Sequence, residues 1–253
     1  MDLNLKDKVA LVTGGSRGLG RGMCLSLAEE GVKVAVNYVR SKDKTEAVVE
    51  EIRAKYDVDA LAVGGDVAKE ADVLEMFRLT AERFSQIDIL VNNAALCPTC
   101  RVKDMSLEEW SRTIEVNLTG TFLASREFVK RCVAAGRPGR IVNIASQAAF
   151  RASTTGHAPY DASKGGIVTF TVALAREVAQ HGIAVNGVAP GMIVTDMTAK
   201  VLEENEEKYL ARIPLRRIAK PKDVADVVTF LASERAGYMT GATVDVSGGM
   251  LMR

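Results

Sequence analysis

The chain is predicted to be an α/β protein, a doubly wound domain built on a seven-stranded parallel sheet with helices on both faces. Three observations predict it. Short β-branched runs alternate with longer stretches of helical period, the pattern of βαβ units. Several runs, such as VALV at 9–12 and IDILV at 87–91, are nearly continuous apolar stretches, as strands covered on both faces require. The first run also passes directly into a glycine-rich turn and then a helix.

The strands are expected at 9–12, 32–36, 60–63, 87–91, 141–144, 183–188 and 243–246, and the helices at 19–30, 45–55, 71–84, 107–134, 160–180 and 222–233. No Pro/Gly/Ser-rich linker, low-complexity tract or repeat divides the chain. One domain over 1–253 is expected, with a cofactor half at about 1–145 and a catalytic and substrate half at about 146–253. The least regular stretch is 191–214. It reads as a loop able to act as a lid, and its acidic run EENEE reads as a solvated helix face.

Bulk composition excludes several classes. With 33 basic and 32 acidic residues the net charge is +1, so nothing draws the chain to nucleic acid or to anionic lipid. The first apolar run is too short for a signal-peptide core or a bilayer span. A soluble, cytoplasmic protein without membrane or nucleic-acid partners is the expectation. In a reducing cytosol Cys24, Cys97, Cys100 and Cys132 would be free thiols.

Chemistry in an open parallel sheet sits at the carboxyl ends of the strands. The first strand ends in Thr13, Gly14, Gly15, Ser16, Arg17, Gly18, Leu19 and Gly20, and helical period starts at once. Glycines permit the tight turn and let a pyrophosphate approach the backbone, and the helix start offers free N–H groups and a positive dipole end. The spacing is GxxxGxG and not GxGxxG; after a strand and before a helix it still reads as a Rossmann-type dinucleotide turn. NAD-binding sites of this type put a carboxylate at the end of the second strand. Here that end reads Val36, Asn37, Tyr38, Val39, Arg40, with no acid before Asp43. Arg17 and Arg40 would welcome a 2′-phosphate, so NADP(H) is expected over NAD(H), which stays possible.

Tyr160 and Lys164 lie four apart where helical period begins, so they share a face. An ammonium beside a phenol stabilises the phenolate and lowers a pKa that is ordinarily about 10. Such a tyrosine exchanges a proton with a substrate oxygen. Ser146 ends the fifth strand run, within reach of the same oxygen. Alone, a Tyr-x-x-x-Lys pair is more often structural; its company gives it weight.

That company is TGGSRGLG at 13–20, Asp66-Val67, Asn92-Asn93-Ala94-Ala95, Asn117, Ser146, Tyr160 to Lys164, Pro190-Gly191 and Ser247-Gly248-Gly249. In this order and spacing the chain resembles the short-chain dehydrogenase/reductase superfamily over nearly its whole length. The resemblance implies that Tyr160 is the general acid in reduction. Lys164 would tune it and bind the nicotinamide ribose, Ser146 would orient the substrate oxygen, and Asn117 would hold a water in a proton relay to Lys164. Asp66 and Val67 would meet the adenine, and Asn93 and Ala94 would border the cofactor. Ile193 and Thr195, after the Pro190-Gly191 turn, would contact the carboxamide. Ser16, Leu19 and Asn37 are counted with the cofactor residues. No metal is implied. A homotetramer is, with the helices at 107–134 and 160–180 and the C-terminal segment at its interfaces.

Two positions depart from the family pattern. Ala95 replaces a frequent glycine and adds a methyl near the cofactor. Ser146 and Tyr160 are 14 apart, one more than usual, so the loop 147–159 absorbs an extra residue beside the substrate pocket.

Within the superfamily the chain is most similar to 3-oxoacyl-[acyl-carrier-protein] reductases, in TGGSRGLG, in 174–197 and in 238–252. That group receives its acidic carrier protein on a basic pair, which corresponds to Lys130 and Arg176; as isolated residues these are equally ordinary helix-surface charges. The same frame serves sugar, diol, cyclic-alcohol and steroid dehydrogenases, and a non-catalytic dinucleotide-binding sensor is the alternative from another class. Cys97 and Cys100 form a CxxC near the mouth of the site. A plain loop is expected there, because two further zinc ligands at suitable spacing are missing.

Overall fold

A glycine turn can face a ligand only if the strand before it lies inside the sheet, and the first strand does. In the computed structural model, which describes residues 2–153, 155–196 and 198–252, β1 (Val9–Val12) is central. Met197, the last residue of the similar stretch 174–197, lies outside the described residues. On one side of β1 come β2 (Lys33–Tyr38) and β3 (Ala60–Gly64). On the other come β4 (Ile89–Asn92), β5 (Gly139–Ile144), β6 (Ile183–Pro190) and β7 (Thr243–Val246). The order is β3-β2-β1-β4-β5-β6-β7 and every pair is parallel. The order reverses between β1 and β4, which opens a crevice at their carboxyl ends.

The helices follow as α1 (Gly18–Glu29), α2 (Lys42–Tyr56), α3 (Glu70–Phe84), α4 (Leu107–Ile114), α5 (Gly120–Ala134), α6 (Ala148–Arg151), α7 (Ala158–Val178), α8 (Ala199–Arg212) and α9 (Pro221–Ala232). Successive strand residues point to opposite faces. Val12, Val34 and Val36 therefore pack with Met23 and Leu27 of α1, Ile52 of α2 and Val228 of α9. Leu11, Ala35 and Val63 pack with Phe77 of α3, Phe128 of α5 and Leu174 of α7. This double burial is why the strand runs read as unbroken apolar stretches.

Four expectations change in detail. The helix expected over 107–134 is interrupted by a π-turn at Glu115–Thr119, with Asn117 inside it; such turns recur at functional positions in helices. The stretch 191–214 is not wholly irregular, since α8 occupies most of it, bent where Asn205 departs from helical geometry. Its acidic run lies on this helix. The loop 147–159 contains the short α6, and the residue after it, Ala152, takes φ +52°. β4 also starts two residues later than expected, because Asp88 accepts the Val9 N–H at 2.9 Å and leads the strand in.

Below the crevice a buried amide chain ties the sheet to two helices. Asn92 Nδ2 donates to Asn143 Oδ1 at 2.8 Å and to Ser125 Oγ of α5 at 3.0 Å. Asn143 Nδ2 donates to Thr171 Oγ1 of α7 at 2.9 Å. With every member paired, such a network fixes the relative position of its elements.

Candidate active site

The glycine turn closes on itself through two side chains. Gly14, at φ +64°, donates its N–H to Asn37 Oδ1 at 3.1 Å. Asn93 Nδ2 donates to the carbonyls of Thr13 at 2.9 Å and Gly14 at 3.1 Å. The Thr13 hydroxyl accepts from the N–H groups of Asn93 at 2.9 Å and Ala94 at 3.0 Å, which locks the turn after β1 to the turn after β4. Thr13 was legible only as part of the glycine motif; its bridging role needed the two strands side by side.

Helix α1 begins at Gly18, and Leu19 and Gly20 form its first turn. Its N-cap, Arg17, makes no side-chain cap, and the first turn carries no acid. Its N–H groups are thus uncapped by side chains and suit a pyrophosphate. Thr195 stands 3.5 Å from where a Cβ on Gly18 would lie, so the segment after β6 faces this turn. Pro190 ends β6, and Gly191 packs on Ser247, where a Cβ would meet its Cα at 2.8 Å. Ile193 pairs with Ala219, and the Thr195 N–H donates to Thr198 Oγ1 at 3.0 Å.

The periphery separates the expected cofactor residues. Arg17 and Arg40 are exposed, and neither guanidinium has an ion-pair partner among the described residues; Ser16, in the turn itself, is half-buried. Asn37 has a buried side chain, with Oδ1 on Gly14 and Nδ2 donating to the carbonyl of Gly65 at 2.9 Å, so its amide supports the turn from behind. Asp66 is also more engaged than its motif implies. Its Oδ1 accepts from Ala68 N at 3.0 Å and its Oδ2 from Arg112 of α4 at 2.6 Å. Burial raises its pKa, but those two donors outweigh burial and hold the carboxyl below its ordinary range. Arg112 lies 46 residues away, and no sequence signal marked it. Val67, next to Asp66, is buried against Gly120 of α5.

The reaction centre lies across the crevice. Lys164 is 2% exposed. Its Nζ donates to the Ile144 carbonyl at 2.6 Å and stands 5.5 Å from the Tyr160 ring centre. Burial pulls its pKa down to about 8, so the amine is still mostly protonated at neutral pH. Burial pushes the Tyr160 phenol above its ordinary value, while its hydrogen bond with Ser146 pulls the other way. The lowering expected from the neighbouring ammonium is not found in the protein alone, where the hydrogen bond with Ser146 is what opposes burial. Ser146, at the end of β5, also accepts from Ala148 N at 3.1 Å.

Asn117 is completely buried, and both ends of its side chain are in use. Oδ1 accepts from Leu96 N at 2.8 Å, and Nδ2 donates to Leu96 O and to Ser163 Oγ, each at 2.9 Å. Ser163 Oγ in turn donates to Tyr160 O at 2.7 Å. Asn117 thus joins the loop after β4 to the start of α7.

Ala95 takes no positive φ, so the alanine costs no backbone strain where the family often has glycine. The CxxC beyond it is tied to Gly156 and His157, just before α7: His157 Nδ1 lies 2.9 Å from Pro98 O and 3.7 Å from Cys97 Sγ, and Cys100 N donates to Gly156 O at 2.9 Å. Burial pushes the Cys97 thiol up to about 11, which leaves little thiolate for redox chemistry. A Cys97→Ser/Cys100→Ser double variant is expected to keep turnover within about twofold, as a plain loop would; loss of turnover under reducing conditions would refute that.

The arrangement can hold an anionic dinucleotide over the glycine turn and present a phenol, a hydroxyl and an ammonium to one substrate oxygen. Comparison with known proteins agrees. A family model described as enoyl-(acyl carrier protein) reductase matches residues 14–251. The 3-oxoacyl-[acyl-carrier-protein] reductase FabG of Staphylococcus epidermidis is 44% identical over 246 residues, which cover 97% of this chain and 100% of that protein. The corresponding protein of Aquifex aeolicus is 42% identical over 99% of this chain and 100% of its own length. Among solved structures, a putative gluconate dehydrogenase from Agrobacterium tumefaciens superposes with a TM-score of 0.94 at 36% identity, covering 100% of this chain and 99% of that one.

Proposed function

This chain belongs to the short-chain dehydrogenase/reductase superfamily and is an oxidoreductase acting on CH–OH/C=O groups; on that premise we propose that it is an NADPH-dependent reductase of 3-oxoacyl thioesters. The observation that carries the reading is the 42–44% identity, over nearly the whole chain, to proteins named for that reaction. The chain is read as one domain, with the cofactor half at about 1–145 and the catalytic half at about 146–253.

In this reading Gly14, Ser16, Gly18, Leu19 and Gly20 cradle the pyrophosphate, and Arg17 and Arg40 hold the 2′-phosphate. Asp66 and Val67 border the adenine; Asn93, Ala94, Pro190, Gly191, Ile193 and Thr195 border the rest of the dinucleotide. The bound nicotinamide supplies the hydride. Tyr160 gives its phenolic proton to the carbonyl oxygen as negative charge develops there. A phenol held protonated by burial is in the right state to donate. Ser146 hydrogen-bonds the same oxygen and orients it. Lys164 holds positive charge beside the phenol as it ionises, which stabilises the product state, and it would also grip the ribose. Asn117 keeps Leu96 and Ser163 in place. With its amide engaged, its main-chain carbonyl in the π-turn, which already accepts from Thr121 Oγ1 at 2.7 Å, is read as the group that would also hold a relay water.

Lys130 and Arg176 are exposed and without ion-pair partners among the described residues. They are read as the docking pair for an acidic acyl carrier protein. The exposed apolar side chains Leu107, Trp110 and Phe122 on α4 and α5 are read as part of a homotetramer interface. No described helix is long and apolar enough to cross a membrane, and a cytoplasmic setting goes with the reading.

Initial rates with an acetoacetyl thioester test it. Rapid oxidation of NADPH and slow oxidation of NADH are expected. Arg17→Ala/Arg40→Ala should raise the KM for NADPH about tenfold to a hundredfold and leave that for NADH nearly unchanged, as loss of charge-assisted phosphate contacts predicts. No thioester turnover with either cofactor would refute the acyl-reductase reading. A dehydrogenase of sugars or diols is the second reading, favoured by the gluconate-dehydrogenase-like structure; oxidation of such alcohols would then be found.

A further inference from the structure

Asp161 directly follows Tyr160 at the start of α7, and nothing so far gives it a role. Its Oδ2 accepts from the Ser153 N–H at 2.6 Å and from Ser153 Oγ at 2.9 Å. Its Oδ1 is buried without a hydrogen-bond partner. Ser153 belongs to the loop that absorbs the extra residue between Ser146 and Tyr160, and it follows Ala152, held at φ +52°. A non-glycine residue keeps such a conformation only where its surroundings over-determine it. The paired hydrogen bonds from Ser153 to Asp161 are the constraint next to it.

The groups that face the Tyr160 phenol come from three places. Lys164 stands beside it on α7, and Ser146 reaches it from the end of β5. Cys97 comes from the loop after β4, with His157 behind it at 3.7 Å. Burial holds Cys97 as a neutral thiol, so among these groups Asp161 brings the carboxylate and Lys164 the amine.

We propose that Asp161 is a positioning residue of the reaction centre: its carboxylate ties the loop 147–157 to the helix that bears Tyr160 and Lys164, and it holds a negative charge beside the reacting phenol. In the proposed reading this loop borders the substrate, so the tie would set the shape of that wall. The charge opposes phenolate formation; together with burial, the larger effect, it keeps Tyr160 protonated. Asp161 thus shifts the pH at which the tyrosine changes state. The inference rests on Tyr160 being the proton donor.

Three variants of the full chain separate the two roles. Asp161→Asn keeps an oxygen for both Ser153 donors and removes the charge. Its pH–rate limb for alcohol oxidation with NADP should move to lower pH by about half a unit, because a phenol freed of a nearby anion ionises more easily. Its substrate KM should stay near that of the native chain. Asp161→Ala loses both, so the same limb moves and the substrate KM rises, while cofactor affinity, measured by NADPH fluorescence, is unchanged. Ser153→Ala keeps the charge and should leave the pH profile unmoved. Hydrogen exchange over 147–157 provides a readout that needs no turnover: faster exchange is expected in Asp161→Ala and native exchange in Asp161→Asn. Superimposable pH profiles of Asp161→Asn and the native chain would overturn the electrostatic role. Native exchange in Asp161→Ala would overturn the tie. If the native chain turns over no carbonyl or alcohol, the functional reading fails on its own, and the exchange result still decides the tie.

Discussion

Tyr160→Phe is expected to lower turnover by about two to four orders of magnitude, the usual contribution of a positioned general acid, with NADPH affinity within about threefold of the native chain. The change removes one oxygen and leaves the ring. That ring packs beside Lys164 Nζ, 5.5 Å from its centre, so no cavity forms and the fold is not expected to move. What is lost is the hydroxyl that hydrogen-bonds with Ser146 and would hand its proton to the substrate oxygen. Stopped-flow single-turnover rates, paired with fluorescence titration of NADPH, separate the two effects. A variant that keeps more than about a tenth of native turnover would remove Tyr160 from its proposed role. A native chain that binds NADPH and reduces no carbonyl would point instead to the dinucleotide-sensor alternative.

The second large effect is expected at Gly20. A Cβ there would lie 2.2 Å from the Gly14 carbonyl oxygen and 2.7 Å from Asn93 Nδ2, the same nitrogen that donates to that carbonyl. Neither partner is the free end of a flexible side chain, so Gly20→Ala must push the turn away from α1. Overpacking of this kind costs about 1–3 kcal/mol. Because the displaced atoms form the pyrophosphate cradle, NADPH affinity should fall by a comparable factor, about tenfold to a hundredfold. Isothermal titration and thermal unfolding with and without NADPH measure both terms. Native affinity in Gly20→Ala would show that the turn does not carry the cofactor.

Much of the fold was legible because a parallel sheet buried on both faces leaves little choice of residue. VALV of β1 is apolar throughout because Leu11 enters one core and Val12 the other. The pattern failed where the cause was not local. Nothing in Glu115–Thr119 announces a π-turn, since an extra residue in a helix leaves the apolar spacing around it nearly intact. The helix α8 was hidden by its own composition. It is polar along most of its length and rests on a small separate cluster around Leu202, Ile213 and Met250, so its period is weak.

The site divides in the same way. By itself the sequence determined the residue types and their order: a glycine turn after the first strand, arginines and no acid at the end of the second, a serine closing the fifth, and a tyrosine and lysine one helical turn apart. These are local facts of spacing, and local spacing survives translation into structure. Only the tertiary structure decided which way side chains point and what they spend their hydrogen bonds on. Asn37 lies near the end of β2, and its amide turns inward to Gly14 and Gly65. Asp66 meets Arg112, and Asp161 meets a loop that bends back onto it. Such pairings depend on how far the chain travels before it returns, and burial then determines whether a charge beside the site is silenced or felt.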